Sequence, residues 1–356
     1  MKGDVLLIGP FPEPVHGCSL ANMVLYKGLV SKQIAVDRIN MGTVLSEDIG
    51  SFTWKKLFFV FGRYLSIYKI FFFKNIYLTP GQTFLGVLKY APYILIGRLF
   101  RKNVIFHVHG NYLWQEYERS GFVKRKIVRF LISRSSKGIV LSESLRKNLL
   151  PFLPSKDILT VHNFFEDFLI SPELVKEFSS LKVVFLSNLM TEKGIFDLLD
   201  ALEILVAEGV SFEARIAGGI DTDVQKAVRD RLHALGPSVS YVGVVAGAEK
   251  KSLLSWANTF VLPTYYRSEG QPISLIEAMA TGNAIVTTRH AGIPDILTDC
   301  NAFFVDDRSP SQIAAVLKDF YSDTSAFVAK SEFNLLDSKK FNEVAYTENI
   351  LEVLHA

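Results

Sequence analysis

Short apolar runs alternate with longer stretches of helical period along nearly the whole chain. "DVLLIG" (4–9), "KNIYLT" (74–79), "NVIFHVHG" (103–110) and "KGIVLS" (137–142) place apolar residues at consecutive positions and read as strands buried on both faces. "KVVFLSN" (182–188), "FEARIAG" (212–218), "VSYVGVV" (239–245), "NTFVLPT" (258–264) and "NAIVTT" (283–288) repeat that pattern in the second half. Between them, 193–208, 222–235, 248–257 and 272–281 carry the repeat of helices. Strands alternating with helices predict an α/β fold of doubly wound parallel sheets. At 356 residues the chain exceeds one small core, and the alternation restarts after a softer region, 161–181. Two Rossmann-like domains are expected, 1–165 and 166–339, facing each other across a cleft so that strand ends from both line one ligand site.

Composition adds less than charge. Hydrophobic residues make up 49% of the chain, which marks a folded protein. Two cysteines far apart, Cys18 and Cys300, have neither disulfide nor metal spacing and fit a reducing compartment. Asp4 and Pro10 interrupt the first apolar run, which therefore reads as a buried strand and not as a secretory signal. The net charge of +3 conceals an asymmetry. Residues 1–165 hold 23 lysines and arginines against 9 acids, whereas the remainder holds 16 against 27. The first half should therefore meet an anionic partner. Its basic residues interleave with aromatics through 52–74 and recur in "KRKIVRF" (124–130), a composition suited to anionic lipid headgroups. The run 57–73 is broken by Arg63 and Lys69, so a buried or interfacial helix is expected there and not a membrane span.

The chemistry concentrates in "RSEGQPISLIEAMATGN" (267–283). Pro272 suits the first position of a helix, where its missing N–H costs nothing. Amides around Gly270 to Ser274 would then point out of the helix start, backed by the positive end of its dipole, and offer a site for a diphosphate. Glu269 and Glu277 flank that site and could accept hydrogen bonds from hydroxyls at both ends of a ligand. A nucleotide sugar has that form. An acid at a helix start plus a solvated helix glutamate fits the same spacing.

The stretch "EGQPISLIEAMATGNAIVTT", followed by "AGIPDIL", resembles the E-x7-E signature of retaining glycosyltransferase family 4, whose fold is GT-B. "LSNLMTEKGIFDLLDAL" (186–202) is similar to the family's lysine-glycine segment, and "ARIAGG" (214–219), "YVGVV" (241–245) and "NTFVLPT" follow in order. In the first half, "GPFPEPVHGCSLAN" (9–22) is similar to the glycine-bearing first loop and "VIFHVHGN" (104–111) to the strand-His-Gly segment. The resemblance implies that Glu269 holds hydroxyls of the donor sugar, with the amides of Gly270, Gln271, Pro272 and Ile273 lying beside sugar and diphosphate; Pro272 itself lacks an N–H. Glu277 would bind the ribose, Lys193 the diphosphate, and His109 would lie beside the transferred sugar. Gly17 would let the first loop close over the phosphates. Asn188 stands where many members carry an arginine, so the phosphate loses a bidentate cation that Arg267 or Arg289 would have to replace. No cofactor and no metal are expected.

By the same resemblance, the first domain receives a saccharide acceptor, lipid-linked or free, and the helical stretch at 340–356 packs back on it. The donor would be a nucleotide-diphosphate sugar, and the location the cytoplasmic face of a membrane, in the synthesis of a surface polysaccharide such as lipopolysaccharide or capsule. Two other readings stay open: a weak or inactive member serving as a partner subunit, to which Asn188 points, and a nucleotide-sugar epimerase. No nucleic-acid motif accompanies the basic half, which argues against a nucleic-acid partner. His107, two residues before His109 and on the same face, reads as a core histidine. "DTD" (221–223) imitates a metal motif but reads as a helix cap.

Overall fold

The computed structural model describes residues 3–42, 62–171 and 175–355. The chain divides into two compact units, one of residues 1–163, 268–271 and 343–356, the other of 164–267 and 272–342. Among the described residues the first unit holds six parallel strands, β1 (Gly3–Gly9), β2 (Val36–Asn40), β3 (Phe73–Leu78), β4 (Asn103–Val108), β5 (Lys137–Val140) and β6 (Ile158–Thr160), in the order β2-β1-β3-β4-β5-β6. The interior strands are apolar because helices cover both faces, and Leu6, Ile8, Ile76, Phe106 and Ile139 are all buried. The last helix, Glu343–His355, belongs to this unit. Its final carbonyls, which have no partner inside the helix, are met by Lys137 Nζ on Val353 at 2.9 Å and Asn103 Nδ2 on Leu354 at 3.3 Å.

The second unit repeats the plan with β7 (Lys182–Leu186), β8 (Glu213–Ala217), β9 (Val239–Gly243), β10 (Thr259–Leu262), β11 (Ala284–Thr288) and β12 (Ala302–Val305), in the order β12-β11-β10-β7-β8-β9. Its core joins both faces of this sheet to the helices Ile195–Ala207, Ile273–Ala280 and Pro310–Ser322. The two parallel sheets, flanked by helices, make the chain an α/β protein of two domains.

Three details depart from the sequence reading. The run expected to hold a buried or interfacial helix, 57–73, is described only from 62 on: residues 62–64 are α-helical, a 3-10 helix spans Ile67–Phe72 and β3 begins at Phe73. Lys69 leaves the apolar pattern to pair with Asp37 at 2.7 Å; Lys55, Lys56 and the aromatics up to Phe61 lie outside the described residues. Pro272 is the N-cap residue, one position before the helix proper. Strands β2, β6 and β12 went unread.

Gly194 shows how tightly the second sheet's loops meet. It has φ +79°, a left-handed conformation, and a Cβ there would collide with the Pro263 carbonyl oxygen. Gly194→Ala should therefore lower unfolding free energy by about 2 kcal/mol or more in urea titrations. A loss below about 0.5 kcal/mol would show that the two loops have room to separate.

Candidate functional site

In an open parallel sheet, ligands gather where the strand order reverses, at the carboxyl ends. In the first unit this switch falls between β1 and β3. The loops that leave them, with the start of β4's exit loop, line a cavity of about 300 Å³ that includes Pro10, His16, Cys18, Thr79, Lys89 and His109. His16 caps the helix Gly17–Ser31 in a reciprocal pair with Ser19, its Nδ1 accepting the Ser19 amide at 3.3 Å. Gly17 is thus the exposed first residue of that helix. His109 stacks against His107 with ring centroids 4.0 Å apart, and its buried Nε2 has no partner among the described residues. His107 is a core residue, as expected, with its Nδ1 bonded to the Tyr77 hydroxyl. Burial pulls both imidazoles down, His107 well below the usual histidine range and His109 to about 3, with a smaller contribution to His109 from His16.

Residues 268–271 pack with this unit. A Cβ on Gly270 would stand 2.8 Å from the His109 carbonyl oxygen, so only glycine fits. Glu269 is buried. The Gln271 side chain is engaged by the scaffold: Oε1 accepts the Asn163 amide at 2.6 Å, while Nε2 lies 3.2 Å from the Leu141 carbonyl and 3.0 Å from His162. Its carbonyl accepts from Asn163 Nδ2 at 2.7 Å, so what Gln271 has left to offer a ligand is its main-chain N–H.

In the second unit the order reverses between β7 and β10. Asn188 and Lys193 lie on the loop leaving β7, Asn188 exposed and the Lys193 ammonium 5.3 Å from the centre of the Tyr266 ring. Beside them is a cavity of about 500 Å³ whose lining includes Met190, Thr191, Asp221, Asp223 and Tyr265. Asp221 accepts the Asp223 amide at 3.4 Å, so "DTD" forms a cap. No cluster of three metal-binding side chains occurs among the described residues. Arg289 pairs with Asp299 and lies over the Phe304 ring.

The helix Ile273–Ala280 opens after Pro272 with no side chain capping it. Leu275 donates back to the Pro272 carbonyl at 3.2 Å, and the amides of Ile273 and Ser274 have no partner among the described residues. Glu277 is buried at 3% exposure and accepts from Lys250 Nζ at 2.5 Å. The same ammonium reaches Glu166 at 2.5 Å. Burial raises the Glu277 carboxyl and Lys250 opposes it; burial would lower Lys250, but the two carboxylates outweigh it and leave it raised. Lys250 and Glu166 were missed from sequence. One signal was available: Lys250 shares the inner face of its helix, Gly247–Trp256, with Leu253 and Leu254.

His109 ties this geometry to pH. Folded, it stays neutral down to about 3, whereas the unfolded chain takes up that proton near the ordinary 6.5. The unfolded state therefore binds more protons below 6.5, and stability falls as pH falls toward 3. Between pH 7 and 5 the loss from His109 alone should approach about 2 kcal/mol. Urea titrations at pH 5, 6 and 7 should show a shallower slope for His109→Gln; an unchanged slope would place the imidazole in contact with solvent.

Residues 180–323 match the family model described as glycosyl transferases group 1. WcaL of Escherichia coli, named for colanic acid biosynthesis as a glycosyltransferase, is 28% identical over 52% of this chain and 48% of its own length. The match thus spans about half of that relative. A solved glycosyltransferase of Rickettsia africae superposes with TM-score 0.78 at 14% identity, covering 99% of this chain and 98% of the other. Anabaena HepE, solved in complex with UDP, gives TM-score 0.75 at 16% identity over 99% of both chains. The chain shares the fold of these two solved proteins, and by sequence its residues 180–323 match the family model of glycosyl transferases group 1.

Proposed function

We propose that the chain is a retaining glycosyltransferase that moves a hexosyl or N-acetylhexosaminyl group from a nucleotide-diphosphate sugar to a saccharide acceptor, lipid-linked, in polysaccharide synthesis. One observation carries the reading: open amides at the start of the helix Ile273–Ala280, beside a buried carboxylate, at the switch point of the second sheet. The relative named for colanic acid synthesis and the neighbour solved with UDP support the same substrate classes.

In this reading the diphosphate lies against the amides near Gly270 and Ile273 and the ammonium of Lys193. Asn188 donates a neutral hydrogen bond where an arginine would supply charge. Glu277 holds the ribose, Glu269 and the neutral His109 hold hydroxyls of the sugar, and Gly17 lets the first loop approach the phosphates. The acceptor hydroxyl attacks the anomeric carbon from the face that the diphosphate leaves. The carbon–oxygen bond to the diphosphate breaks as the new glycosidic bond forms, and the acceptor's proton passes to the departing diphosphate oxygen. Lys193 and the amides stabilise the charge that develops there, so no metal is assigned a role.

Membrane contact belongs to the same proposal. The helix Phe122–Ile132 exposes Phe122 and Val123 among Lys124, Arg125, Lys126 and Arg129, and each cation near an anionic surface contributes about 1 kcal/mol. Among the described residues, no helix is long and apolar enough to cross a membrane. Flotation should recover the protein with vesicles of anionic lipid and leave it behind with neutral ones; equal recovery would remove the electrostatic argument.

The catalytic assignments separate by kinetics. Glu277→Ala should raise KM for the donor about tenfold or more with kcat little changed, since a hydrogen bond to a charged group is worth about 1.5–3 kcal/mol. Glu269→Ala should lower kcat about tenfold or more with a smaller change in KM. Wild-type steady-state rates from both variants would reject the site. A thermal-shift panel of nucleoside diphosphates, with no member raising Tm, would reject the donor class.

A further inference from the structure

Lys250 and Glu277 lie near the starts of crossover helices, Gly247–Trp256 after β9 and Ile273–Ala280 after β10. In a parallel sheet such helices begin at the carboxyl edge, so the ion pair sits where ligands bind. Both residues are buried, Lys250 at 8% and Glu277 at 3% exposure. Two carboxylates, Glu277 and Glu166, share one ammonium, each at 2.5 Å. The cluster therefore holds one negative charge in excess. A buried ion pair kept only for stability gains little over apolar packing, and an unbalanced one is costlier still. Lys250 also takes only one oxygen of Glu277, Oε1; Oε2 has no partner among the described residues. The group that would complete this arrangement is an O–H donor.

We propose that Lys250 is a positioning residue for donor specificity: it clamps Glu277 by one oxygen so that the other reads a ribose hydroxyl, and the donor is a ribonucleotide sugar, not a 2′-deoxyribonucleotide one. This rests on the reading that Glu277 faces the ribose of the donor. An ionised carboxylate is an acceptor only, so it rewards a ligand that brings hydroxyl donors. A ligand lacking the 2′-hydroxyl leaves the carboxylate with an unfilled acceptor in a largely buried site, which is how hydrogen-bonding pockets reject smaller analogues. Lysine suits the clamp because its three donors can be divided between Glu277 and Glu166.

Calorimetric titration of the full chain with UDP, GDP and their 2′-deoxy counterparts tests the proposal, with circular dichroism melts to confirm folding. The wild type should prefer one of the ribose forms by about tenfold or more. Lys250→Met should bring that preference within about threefold, by weakening the ribose form while the deoxy form changes little. Because Lys250→Met leaves two buried carboxylates, Lys250→Met/Glu166→Gln is the second variant; it restores the cluster's net charge of minus one and should show the same loss. Glu166→Gln alone, which leaves Lys250 on Glu277, should keep the preference. A folded Lys250→Met or double variant that still discriminates tenfold would overturn the proposal, as would a wild type that binds ribose and deoxyribose forms equally. In that last case the donor site itself would stand. A wild type that binds none of the four would reject the proposed function and this inference with it.

Discussion

A parallel strand cannot pair with the next parallel strand until the chain has crossed back over the sheet, and right-twisted strands make those crossovers in one hand. Every crossover helix in both sheets therefore starts at the same edge. Helix starts bring amides without intrahelical partners, and the reversal of strand order opens a gap between departing loops. In the first unit that gap lies between β1 and β3, in the second between β7 and β10. The cavities beside them, about 300 and about 500 Å³, follow from the topology before any side chain is chosen. What the side chains add is tightness, as where Gly194 lets the loop leaving β7 touch Pro263.

This explains which parts of the chain were legible. Eight of the nine strands read from the sequence announced themselves because burial on both faces demands consecutive apolar residues. The three that went unread, β2, β6 and β12, all stand at sheet edges. β2 reads "VDRIN", with Asp37 half-buried and paired to Lys69 and Arg38 exposed, and β6 spans only three residues. The fourth edge, β9, was read although its middle is exposed, because valine and tyrosine mimic an interior strand. At 57–73 the apolar count was high without a single period, and the described part passes from α-helical residues 62–64 through a short 3-10 helix into a strand.

Local features of the site were legible for a similar reason. A proline, a glycine and two acids at fixed spacing describe a helix start, and the chain forms one there. Pairings distant in sequence left no such trace. Gln271 meets Asn163 across 108 residues, Glu166 meets Lys250 across 84, and Tyr77 meets His107 across 30. The Gln271 contacts also show why that side chain misleads: a polar residue inside a motif invites a ligand role, yet here it anchors the main chain on either side. An anchored main chain keeps its amides pointed before a ligand arrives, which is the condition for electrostatic stabilisation without reorganisation.

Burial acts on two groups here with opposite results. His109 packs against a second imidazole, with His16 near enough to disfavour its charge further, and it becomes neutral. Glu277 is buried but meets an ammonium, which opposes the upward pull of desolvation without cancelling it. A neutral imidazole can donate or accept, while a carboxylate can only accept. The first suits a hydroxyl whose direction must adjust as a bond breaks; the second suits a diol held in one pose throughout. Lys250 works against the protonation of Glu277, since without a cation the same burial would push the carboxyl higher still, toward the protonated acid, which is a donor as well as an acceptor.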